Sequence, residues 1–275
     1  MKLAETDLRD LKQAVSLLEQ DTITEKMTQF VGKPLDYLMD RLPRKVEDKI
    51  HALVKTALHK AADTALWSLN NDPNRQASTK TNKVFAAISG AVGGAFGLTA
   101  LAVELPVSTT IMLRAVADIA RSEGFDLEQL ETKQACLEVF ALGSPTSTDD
   151  DAIDTAYYAT RTFTAEAMQT LSKELAEIAA KHTVSQLTPT QTGKWFAALI
   201  EKITARFGVV ITEKAAAQAV PIIGAVAGAA LNTMFTDYYQ DMARGHFIIK
   251  RLERQYGYEQ VKTAYTAISY ANKIH

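Results

Sequence analysis

Apolar residues recur at three- and four-residue spacing along almost the whole chain, which is the period of a helix with one buried face. Leu8, Leu11, Val15 and Leu18 mark a first helix over Ala4–Glu19. Val46, Ile50, Leu53, Val54, Ala57, Leu58, Ala61 and Ala65 form one stripe on a helix over Pro43–Leu69, which Asn70-Asn71-Asp72-Pro73-Asn74 terminates. The next helix opens near Thr81 and reaches Glu104. Pro106 predicts a break or kink there, because proline removes a backbone donor and crowds the preceding turn. Val107–Ser122 follows and stops at Gly124, a left-handed cap. Leu127–Leu142 closes at Gly143-Ser144-Pro145, and Thr148 with Asp149, Asp150 and Asp151 caps a long helix to about His182. Thr188-Pro189 opens another helix, Phe207-Gly208 separates it from the next, and Pro221 starts one more. Ala243–Tyr256 and Gln260–Lys273 finish the chain. Alternating strand patterns are missing. The expectation is an all-α fold, a single multi-helix bundle of about ten helices. Residues 1–44 read as an N-terminal helical appendage and 45–275 as the main helical domain.

Two stretches carry no ionisable group: the 20 residues Val84–Val103, between Lys83 and Glu104, and the 22 residues Ala215–Thr236, between Lys214 and Asp237. Both are long enough for the ~20 residues of a membrane span. Their composition is small rather than lipophilic, and Pro221 divides the second. They read as two central Gly/Ala-rich helices. Gly90/Gly94 and Gly224/Gly228 stand four apart, a spacing that lets helix backbones approach closely. A looser echo follows each run: Asp118-Ile119-Ala120-Arg121 after the first, Asp241-Met242-Ala243-Arg244 after the second.

Charge and composition narrow the function classes. Thirty Lys and Arg against 32 Asp and Glu give a net charge of −2, which offers no electrostatic reason to bind nucleic acid. One cysteine forms no internal disulfide and points to a reducing compartment. The first residues turn acidic at once, unlike a secretory signal. Phosphate-binding, zinc-protease, redox and nucleophile-elbow motifs are all missing, so no cofactor and no metal are expected and no catalytic residue can be named. Cys136 reads as a small buried hydrophobe. Arg41, Arg44, Lys45, Lys49, Lys55 and Lys60, with His51 and His59, give the third helix a basic side that suits a solvated face or anionic headgroups.

The candidate site is polar residues on otherwise apolar helices. Arg114, Asp118 and Arg121 share one helix face, as do Asp237, Asp241 and Arg244, with His246 just beyond. Glu104 precedes Leu105-Pro106, and Glu138 sits inside an apolar run. If the two small-residue helices pack together, these groups converge, and buried charges there must pair. Such a cluster serves helix register, an anion or ligand pocket, or a hydrolytic site.

The chain resembles the EcsC protein family. The resemblance rests on Gly90–Phe96, Glu104-Leu105-Pro106-Val107, Met112-Leu113-Arg114, Asp118-Ile119-Ala120-Arg121 and Cys136–Gly143. It continues in Pro221–Val226, Asn232, Ala243-Arg244-Gly245-His246-Phe247, Leu252-Glu253-Arg254 and Tyr256-Gly257, covering roughly residues 45 to 260. It implies a bacterial protein working near a membrane, since the family takes its name from a product encoded beside a transporter. It implies no reaction. The expected function is therefore a non-enzymatic, cytoplasmic accessory protein, peripheral at the inner face of the membrane, with a membrane surface or membrane protein complex as partner. The alternatives are a hydrolase acting on an amphiphilic substrate through the Asp/Arg/His cluster, and a protein that binds a lipid or other apolar ligand.

Overall fold

The computed structural model describes residues 3–32, 39–40, 42–68, 98–143, 155–162, 189–218 and 224–274. Within them the chain is helical, with no strand. Eight α-helices are defined: α1 Glu5–Leu18, α2 Ile23–Val31, α3 Arg44–Ser68, α4 Leu98–Ser122, α5 Leu130–Glu138, α6 Pro189–Gln218, α7 Gly224–Tyr256 and α8 Tyr258–Ile274. A 3-10 turn, Val139–Ala141, extends α5, and residues 156–162 form a short helical segment.

Local sequence accounts for several boundaries. Thr22 and Glu25 cap α2 reciprocally: the Glu25 amide donates to the Thr22 hydroxyl at 3.2 Å and the Thr22 amide to the Glu25 carboxylate at 2.7 Å. Gly124 ends α4 at φ +83°, a conformation that other residues adopt only with strain, and Phe125 N–H then closes back on the Ala120 carbonyl at 3.0 Å. On α3, Ile50, Val54, Ala57, Leu58, Ala61 and Ala65 of the predicted stripe are buried.

Three predicted interruptions are absent. α4 runs unbroken through Pro106. The carbonyl that Pro106 leaves without a donor is that of Ala102, an exposed residue, so solvent can satisfy it. α6 runs through Gly208, where a Cβ would lie 2.6 Å from the His51 ring, so this glycine admits a neighbour and does not end the helix. α7 continues through Ala243 as a single 33-residue helix, about 50 Å long at 1.5 Å per residue. Ala243 is a strong helix former and gives no local reason to stop, while at Pro106 and Gly208 the buried residues on both sides outweigh the local preference. For α6 these are Phe207, Val210 and Ile211.

α7 is the central element. It packs against α1, α4, α8, α6 and α2, while α3 lies along both α4 and α6. Gly245 of α7 meets α1 closely: a Cβ there would fall 2.6 Å from Leu18 Cγ. The core under α7 is aromatic. Phe140 stacks on Tyr239 at 5.0 Å and meets Phe207 edge-on at 4.9 Å. Of the two small-residue runs, Gly224 and Gly228 open α7, and Gly228 is buried. Gly90 and Gly94 lie outside the described residues.

Candidate functional site

α7 carries polar groups into three surroundings. Near its start, Asn232 donates to Glu104 Oε1 of α4 at 2.8 Å, and Lys214 Nζ of α6 reaches the same oxygen at 2.8 Å. Lys214 is fully buried, Glu104 is buried, and the ammonium also lies 5.1 Å from the Phe235 ring centroid. A lysine and a glutamate are tolerated in such a place because each neutralises the other and the amide takes up further acceptor capacity.

Farther along, His246 is fully buried, with Nδ1 3.0 Å from the Tyr157 hydroxyl and Nε2 3.7 Å from Glu138 Oε2. The carboxylate favours the tautomer with its proton on Nε2, so Nδ1 accepts from Tyr157. Nε2 itself makes no hydrogen bond among the described residues. Burial, reinforced by the positive charges of Lys250 and Arg161, holds the His246 pKa well below the ordinary imidazole value. Burial likewise raises the Tyr157 hydroxyl. Glu138 is held by the Gln134 amide at 2.7 Å. Beside this group, Arg161 pairs with Glu253 and lies 5.6 Å from the ring centres of Tyr157, Tyr158 and Tyr258.

The third surrounding is a furrow. Asp237 and Asp241, both half-buried, line a cavity of about 490 Å³ with Met234, Ala230, Lys26 and Gln20. A cavity of about 220 Å³ shares Gln20 and Tyr238 with it, and adds Tyr157, Thr160, Glu19 and Leu142 to its walls.

The sequence-derived candidates therefore take different places. Asp118 and Arg121 pair with each other in the interior, Arg121 only 1% exposed. Arg114 and Arg244 are half-buried on the same helices as their sequence neighbours. Glu104 belongs to the Lys214 group, His246 to the Tyr157 group, and Asp237 and Asp241 to the furrow. Lys214, Tyr157, Arg161 and Lys26 were not singled out as site residues by the sequence. Only Lys214 left a usable signal, because it borders one charge-free run just as Glu104 borders the other. Cys136 is fully buried, and burial raises its thiol far from reactivity. Among the described residues no group of three or more His, Cys, Asp and Glu is placed to hold a metal ion. Among the same residues no helix is long and apolar enough to cross a membrane.

The chain belongs to the EcsC protein family, whose model matches residues 5–252. Comparison with curated proteins and with solved structures gives no match.

Proposed function

We propose that this member of the EcsC family is a non-enzymatic accessory protein that associates peripherally with a membrane surface, with the start of α4 as its apolar contact. The observation that carries this reading is the exposure of Val103 (72%) and Val107 (47%), one helical turn apart. Ala102 and Pro106 widen the same face. Val103 is also the last residue of a 20-residue sequence run without an ionisable group. Isolated exposed apolar residues need no explanation, but a paired stripe continuing such a run marks an interaction site.

Magnitudes fit a reversible contact. Two valines taken out of water contribute about 1.5–3 kcal/mol each. Exposed Arg44, Lys45, Lys49 and Lys60, diluted by Glu47 and Asp48, give α3, the helix packed along α4, a basic side that suits anionic headgroups. The single cysteine supports a reducing, cytoplasmic setting.

Flotation of the purified chain with vesicles of phosphatidylglycerol and phosphatidylethanolamine tests the reading. The parent is expected in the vesicle fraction, and Val103→Asp/Val107→Asp is expected to remain at the bottom of the gradient. A parent that does not float, or a double variant that floats equally well, overturns it.

A further inference from the structure

The furrow beside α7 has the dimensions and chemistry of a ligand site independent of the proposed membrane contact. Ala230, Met234, Asp237, Tyr238, Asp241 and Met242 recur at three, four, seven and eight residues, so they form one face of α7. That face runs over about 18 Å, twelve residues at 1.5 Å each. Opposite it stands the corner between α1 and α2, which contributes Gln20 to both cavities and Lys26 to the wider one. The wider cavity, about 490 Å³, lies within the ~300–1,000 Å³ usual for small-molecule sites. Alanine and methionine walls offer a flexible apolar lining that adapts to a hydrocarbon chain.

The charges decide the head group. Asp237 and Asp241 stand one turn apart on α7, and Lys26 comes from α2 on the other wall. A purely anionic head meets two carboxylates, and a purely cationic head meets the lysine. A head carrying both signs satisfies both walls. Asp237 and Asp241 also interact with other groups of the protein.

We propose that this furrow binds a zwitterionic single-chain amphiphile, its ammonium toward Asp237 and Asp241, its phosphate toward Lys26, and its alkyl chain along Met234 and Ala230.

The test is calorimetric titration of the full chain with n-dodecylphosphocholine below its micelle-forming concentration. Dodecyl phosphate and dodecylammonium serve as single-sign comparators. The zwitterion is expected to bind about tenfold more tightly than either comparator. Asp237→Asn/Asp241→Asn is expected to weaken dodecylphosphocholine and dodecylammonium and to strengthen dodecyl phosphate. Lys26→Met is expected to weaken dodecylphosphocholine and dodecyl phosphate and to strengthen dodecylammonium. Ala230→Trp, which fills the wider cavity, is expected to weaken all three. Should a variant fail to fold, the ranking of the three head groups on the parent chain decides by itself. Absence of saturable binding, equal affinity for all three heads, or folded variants that bind like the parent overturns the proposal. Val103→Asp/Val107→Asp is expected to bind the monomeric probe like the parent, so failure of the membrane reading and failure of this one are distinguishable.

Discussion

Glu104 and Lys214 lie 110 residues apart in sequence and 2.8 Å apart in space, and neither reaches solvent appreciably. The pair joins α4 to α6 beneath α7, and Asn232 of α7 binds the same carboxylate oxygen. Three helices are thereby registered against one another by a single charged contact.

Removing one partner leaves the other buried and unpaired. Lys214→Met is expected to cost about 3–5 kcal/mol, and Glu104→Gln less, because the glutamine amide still bonds to Asn232. In a domain of this size the first loss lowers the melting temperature by on the order of 10 °C. The double variant Glu104→Leu/Lys214→Met is expected to recover most of that loss, since apolar replacement of a whole buried pair is often neutral. Thermal melts of the three variants check the pattern.

Gly245 and Leu18 provide a test of close packing between α7 and α1. Gly245→Ala places a Cβ 2.6 Å from Leu18 Cγ, and overpacking of this kind costs roughly 1–3 kcal/mol. The better helix propensity of alanine returns up to about 1 kcal/mol. In a Leu18→Ala background the obstacle is gone, so the same substitution is expected to become stabilising. A double-mutant cycle by urea unfolding reads the change of sign.

Pro106 is carried inside α4 without a break, yet it forfeits one helical hydrogen bond. Pro106→Ala restores a donor to the Ala102 carbonyl. It is expected to stabilise the chain by about 1–2 kcal/mol, part of the ~3 kcal/mol helix penalty being offset by the looser unfolded chain. A urea midpoint that stays put or falls contradicts this account of the uninterrupted helix.

His246 gives the fold a pH dependence of known sign. Its folded pKa is depressed below the unfolded value near 6.5, so the unfolded chain binds the proton first as pH falls. The neutral ring's contribution is fully present above about pH 6.5 and is lost on acidification below it, at up to about 1.4 kcal/mol per pH unit. His246→Gln is expected to be less stable than the parent at pH 7 and to lack that increment of slope between pH 6 and pH 5. Urea unfolding at pH 7, 6 and 5 compares the two.

The sequence by itself determined the all-helical class, the buried stripe of α3 and the stop at Gly124. Each follows from short-range physics: the period of apolar residues, and the positive φ that glycine adopts without strain. It also flagged Asp118 and Arg121, which pair within one helix because three residues bring them to the same face. Tertiary structure alone decided the rest. Local rules end helices at Pro106 and Gly208, but the burial of Leu105 and Phe207 beside those positions outweighs penalties of ~1–3 kcal/mol, and α7 runs through Ala243, where no residue calls for a stop. The partners of Glu104 and His246 come from 110 and 89 residues away, on helices whose facing no local period encodes. The sequence could show that such charges must find a partner. Which partner they found was fixed by how whole helices stack, because the cost of an unpaired buried charge is local while its relief is not.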